Sequence, residues 1–126
     1  NIKHDLTVPN LVVDAGLAFI ASRMAGTSSS VMSHMAVGSS STAASSGQTD
    51  LVSILGSRVS LTSGTASTNT MTYIASFGAG VSTGAITEAG VFNASSSGTM
   101  LCRSVFSTIN KAAGDSMTIT WTITLS

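Results

Sequence analysis

Ions are what this chain has least of. Only 8% of its 126 residues are Asp, Glu, Lys or Arg, against about a quarter in an ordinary globular domain. Five bases cancel five acids. No cluster of Lys and Arg is available to neutralise phosphates, so neither nucleic acid nor an anionic membrane is expected as a partner. Cysteine is as sparse: Cys102 stands alone, which rules out an internal disulfide scaffold. A long apolar run is missing too. The stretch NLVVDAGLAFIASRMAG is interrupted by Asp14 and Arg23 and falls short of the ~18–20 uncharged residues of a membrane-spanning helix. Asp14 also argues against a signal-peptide core.

Hydroxyls take the place of charge: the chain has 24 serines and 17 threonines. A neutral hydroxyl-rich surface lacks the repulsion that normally keeps proteins apart. Two readings follow: a surface covered by partners, or a particle-borne or extracellular protein of relaxed composition. The length fits one domain, which can bury roughly two-thirds of its unfolded surface without a metal or disulfide.

Patterning is clearest at the end. In SMTITWTITLS, Met117, Ile119, Trp121, Ile123 and Leu125 alternate with Thr118, Thr120, Thr122 and Thr124. Strict alternation predicts an antiparallel strand with its apolar ladder in a core. An exposed strand ordinarily carries some Lys or Glu. The uncharged threonine ladder therefore points to shelter by a sheet, a helix or a neighbouring subunit, with a solvated threonine face as the plainer alternative.

Earlier, Val13, Leu17, Ile20, Ala21 and Met24 make one helical stripe, so residues 11–25 are expected to be helical, capped by Asn10 and stopped by Gly26. Gly16 should weaken this helix by about 1 kcal/mol. VMSHMAVG predicts a strand over 31–37. The serine-rich run 39–50 predicts an exposed flexible loop, and DLVSILG one helical turn. SRVSLTSGT, TMTYIASFGAG, GAITEAGVFN and TMLCRSVFS predict strands, with SGTASTN as a turn and Met100, Cys102 and Phe106 sharing one face. The whole predicts an all-β fold: an antiparallel, jelly-roll-like β-sandwich of about six to eight strands, residues 11–126, with one helix near its start and an arm over residues 1–10.

Catalytic constellations are hard to find. Asp5, Asp14, Asp50, Glu88 and Asp115 are scattered. His4 and His34 have no metal or Cys/His motif around them. GAGVSTG (78–84) lacks the spacing and lysine of a phosphate loop. Asn93-Ala94-Ser95 matches a glycosylation sequon, which is common by chance. No enzyme activity, cofactor or small-molecule substrate is expected. Glu88, Arg58 and Arg103 stand out because each interrupts a predicted strand. Glu88 is expected to pair with one of the arginines at a sheet edge or subunit contact.

Several motifs together resemble a family. NLVVDAGLAFIASRMAG, HMAVGSSSTAAS, LVSILGSRVSLTS and the long segment from GAITEAGVFN to KAAGDSMTITWTITLS are similar to small structural virion proteins of tailed bacteriophages. The resemblance covers nearly the whole chain. It implies a capsid decoration (cement) protein that binds the outer surface of the phage head and stabilises it. A tail- or head-fibre or baseplate module for host adhesion is the alternative. The implied partners are the major capsid protein and further copies of the chain, as dimers or trimers; the implied location is the virion, after synthesis in the host cytoplasm. On this reading the arm, through Ile2, Lys3, His4, Asp5, Leu6, Thr7 and Val8, is the candidate capsid or subunit contact, adding a strand to a neighbour's sheet.

Overall fold

The structure, a computed structural model, describes residues 10–26 and 30–125. The proposed contact residues Ile2, Lys3, His4, Asp5, Leu6, Thr7 and Val8 lie outside the described residues. The described residues form eight strands, with alternation clearest in the last: β1 Asn10–Val12, β2 His34–Gly38, β3 Val59–Ser60, β4 Ser63–Ser67, β5 Thr70–Phe77, β6 Gly84–Phe92, β7 Met100–Lys111 and β8 Met117–Thr124. They form two antiparallel sheets, ordered β1-β7-β6-β2-β3 and β4-β5-β8. The all-β sandwich expected from the sequence is the observed architecture.

One apolar cluster fills the space between the sheets. Met35, Val37, Ile86, Ala89 and Val91 of the larger sheet meet Tyr73, Ala75, Phe77, Trp121 and Ile123 of the smaller. Full burial of a Val, Ile, Met or Phe side chain stabilises by roughly 1.5–3 kcal/mol. A second, smaller cluster of Val13, Ala36, Leu51, Phe92 and Met100 lies apart from the first. Met100 and Cys102, expected on one face, belong to different clusters. A register shift places Phe92 opposite Met100 and Val91 opposite Cys102, so Leu101 is the extra residue of a bulge that flips the alternation.

The helix differs from its prediction. Residues 10–12 are β1, paired with Ser104, Arg103 and Cys102, and α1 spans Asp14–Met24 after an N-cap at Val13 with no side-chain cap. Leu17 and Met24 of the expected stripe are 55% and 85% exposed. Val13 and Ile20 of the stripe are buried or packed on a core cluster as expected, Phe19 from outside the stripe joins Ile20, and Gly16 is buried. A Cβ at Gly16 would fall onto the carbonyl of Leu101. The glycine permits the helix to approach β7, and this contact decides which face turns inward.

Composition also misleads at two turns. SGTAS is a strand, β4, and the hairpin to β5 turns at Thr68 and Asn69, with Thr68 at φ 57°. DLVSILG makes no helical turn; Ile54 bridges to Gly38 and Leu55 N–H bonds the Val37 carbonyl. The strand predicted at 31–37 begins three residues later, at His34, although Ser33 already bonds Phe92 and Leu61 through its backbone.

Candidate interaction face

The two sheets present unlike outer faces. On the smaller sheet, Trp121 and Ile123 point into the core and Thr118, Thr120, Thr122 and Thr124 point away, all four exposed. The register places Thr65, Thr72 and Thr122 in one cross-strand row, and Ser67, Thr70 and Thr124 in the next. Ser63, Ile74 and Thr120 make a third row, and Ser76 lies beside Thr118 with their hydroxyls 3.2 Å apart. Apart from Ile74, every side chain of this face is a hydroxyl, and β4, β5 and β8 contain no charged residue. No sheet or helix of the described chain covers the threonine ladder. Such a face can both donate and accept hydrogen bonds at every hydroxyl position. Covering it desolvates no ion, which is the expensive part of burying polar surface.

The larger sheet's outer face is covered around Glu88 and Arg103 by the chain itself. Residues 40–53, between β2 and β3, are bonded across it to these two side chains. Glu88 and Arg103 organise this cover. Gly90 lies opposite Arg103 and Glu88 opposite Val105, so the two charges are diagonal neighbours on one face of a central strand pair. Arg103 donates from Nη2 at 2.8 Å and Nε at 3.0 Å to Glu88 Oε1. Both side chains have zero solvent exposure. The remaining carboxylate capacity accepts the backbone N–H groups of Ser40, Val52 and Ser53 at 3.2, 3.0 and 2.8 Å. Arg103 Nη1 donates to the Thr42 carbonyl and to Gln48 Oε1. The Thr87 hydroxyl adds a bond to the Ser40 carbonyl. Each charge is thus bonded from strand and loop, which is what a buried pair requires to be tolerated.

An edge position is what the sequence suggests for this pair. It sits in the interior instead, because the loop supplies the polar partners that water or a neighbouring subunit would otherwise provide. The serine-rich segment is exposed in its side chains but held through its backbone. Arg58 does not join Glu88. Its guanidinium lies 3.7 Å above the Phe92 ring, donates to the Ala94 and Ser97 carbonyls at 2.9 and 2.8 Å, and stands 3.7 Å from Asp50. It fastens the end of the loop to the β6–β7 turn.

Of the predicted core ladder, Trp121 and Ile123 are buried, and Met117 and Ile119 are half-buried. Leu125 is a correction: it is 51% exposed, one residue beyond the end of β8. Trp121 Nε1 is buried without a hydrogen-bond partner. Cys102 is fully buried, and its thiol pKa is pushed up to about 12 by desolvation; Tyr73 is also raised, chiefly by burial and then by the nearby Cys102. His34 shares a 2.8 Å bond with the Ser33 hydroxyl. Asp115 accepts from Ala112 N–H and closes the β7–β8 turn. Asn93, of the sequon, accepts from Thr99 N–H and donates to the Ser30 carbonyl, so its amide is engaged in a turn.

Among the described residues, no three His, Cys, Asp or Glu side chains come together as a metal site. No described helix is long and apolar enough to cross a membrane. An open groove of about 550 Å³ lies beside α1 and the β4–β5 hairpin, lined by Phe19, Arg23, Met32, Leu61, Met71 and Tyr73 among others. Comparison with protein-family models, curated proteins and solved structures finds no match.

Proposed function

We propose that this chain is a non-catalytic structural protein of a tailed-phage particle, one that docks on the outer capsid surface and reinforces the head. The observation that carries the reading is the asymmetry of the sandwich. One outer face is closed by the chain's own loop around Glu88 and Arg103, and the other is an uncharged hydroxyl face that no described sheet or helix covers. A face of this kind suits a protein partner with its own backbone and hydroxyl groups, here the major capsid protein. The motif resemblance supports the same assignment. In this mechanism each copy straddles neighbouring capsid subunits. Pulling those subunits apart would forfeit the energy with which the copy binds them, and that energy opposes outward pressure. Repetition over the shell adds small contributions through multivalency. The arm, Ile2 to Val8, extends the interface.

The test is addition of the purified chain to phage heads lacking minor proteins, with bound copies counted by cryo-electron microscopy and head rupture followed on heating. The expected result is saturable occupancy in proportion to the capsid subunits and a later rupture. Thr65→Lys with Thr72→Lys, which places two like charges opposite each other at the centre of the face, should abolish occupancy without unfolding the chain. Heads that remain bare with the wild-type chain sink the reading. A few copies confined to a tail or vertex would transfer it to a fibre or baseplate module.

A further inference from the structure

We infer that β8 pairs edge to edge with β8 of a second copy, in antiparallel register about a twofold axis through Trp121. The two smaller sheets then join into one sheet of order β4-β5-β8-β8-β5-β4. This inference concerns the isolated chain and does not depend on capsid binding.

Four observations lead to it. First, β8 has one sheet neighbour among the described residues, β5. Its other edge is eight residues long. The larger sheet blunts its edges by shortness, with three residues in β1 and two in β3. β8 carries neither that protection nor a Lys, a Pro or a bulge, the devices that otherwise prevent strand addition.

Second, the hydrogen-bonding phase of the edge is defined. Leu125 N–H bonds the Asn69 carbonyl. Bonded and non-bonded pairs alternate along an antiparallel ladder. Ile123, Trp121, Ile119 and Met117 therefore exchange bonds with β5, and the N–H and C=O groups of Thr118, Thr120, Thr122 and Thr124 face outward.

Third, those outward groups are self-complementary. With Trp121 on the axis, Thr118 meets the second copy's Thr124, and Thr120 meets its Thr122. All four threonines then find partners within β8, which shifting the register by two residues in either direction does not achieve. A one-residue slip would set threonines against the apolar ladder.

Fourth, the same register disposes of the apolar surface left over. Ile119 falls opposite Ile123, and half-buried Met117 opposite Leu125, which is 51% exposed. The hydroxyl face doubles in width without a break.

Sedimentation equilibrium of the full chain, with amide hydrogen exchange, tests this. A concentration-dependent dimer is expected, with the amides of Thr118, Thr120, Thr122 and Thr124 slowing as the dimer forms. Thr120→Lys with Thr122→Lys sets ammonium against ammonium at two symmetric positions and should weaken the dimer on the order of tenfold or more. Thr120→Lys with Thr122→Glu sets opposite charges together and should restore it to near the wild-type level. A wild-type chain that stays monomeric at its highest soluble concentration overturns the inference. So does a dimer indifferent to the double lysine change, or one that the lysine–glutamate pair fails to rescue. Protection of these amides in the monomer would give the edge to the chain's own residues 1–9 and overturn it equally. Bare phage heads alongside an intact dimer would refute the proposed function alone.

Discussion

Glu88 and Arg103 meet at 2.8 Å with neither side chain reaching solvent, and through them three loop amides are attached to the central strands. Removing one member leaves an uncompensated buried charge. Glu88→Ala should therefore cost about 3–5 kcal/mol, seen as a lower midpoint in urea denaturation. The amides of Ser40, Val52 and Ser53 should lose exchange protection with it. Glu88→Leu with Arg103→Met should cost clearly less than the sum of the two single changes, because each single change orphans the other's charge.

Gly16→Ala separates two opposed effects. Helix propensity favours alanine by about 1 kcal/mol. The added methyl, however, lands on the Leu101 carbonyl, and overpacking costs typically about 1–3 kcal/mol. Backbone against backbone yields little, so net destabilisation is expected, measured by thermal or denaturant unfolding. A gain in stability would show that α1 does not press on β7.

Cys102 gives the fold an alkaline limit. Its folded pKa of about 12 lies above the ordinary value of 9.0, so between those values the unfolded chain releases a proton that the folded chain keeps. Its stabilising contribution is complete below pH 9 and declines toward pH 12, by up to ~1.4 kcal/mol per pH unit. Tyr73, raised from 10.0, adds to the decline above pH 10. Cys102→Ala should flatten the curve between pH 9 and 10 and make the decline above pH 10 shallower, leaving only the share of Tyr73. Denaturant midpoints measured across this range check both slopes.

Trp121→Ala should cost about 3–5 kcal/mol, since the ring is 6% exposed between the sheets. Leu125→Ala, at the other end of the same ladder, should change the stability of the dilute monomer by no more than about 0.5 kcal/mol. Equal losses at both positions would contradict the end of β8 at Thr124.

The strands are legible where side-chain period alone decides. β5 and β8 follow their alternation, because both have one face on the core and nothing else competing. The two charges in GAITEAGVFN and TMLCRSVFS are also conspicuous, since an ion in an apolar run must be answered. Their partners are not legible: Ser40, Val52 and Ser53 answer Glu88 with backbone groups, which every residue has and no motif marks. The side of α1 that turns inward is hidden for a related reason. Hydrophobicity points to Leu17 and Met24, whereas close approach selects the side with no Cβ at position 16. The bulge at Leu101 defeats any reading in steps of two, because one inserted residue reverses every face beyond it.

The clamp joins stretches far apart along the chain: Glu88 holds an amide 35 residues before it, and Arg103 a carbonyl 61 residues before it. The complete clamp therefore exists only while β6 and β7 are paired. Any opening of that central hairpin would release the loop with it, so the cover of the larger sheet and its two inner strands come apart together.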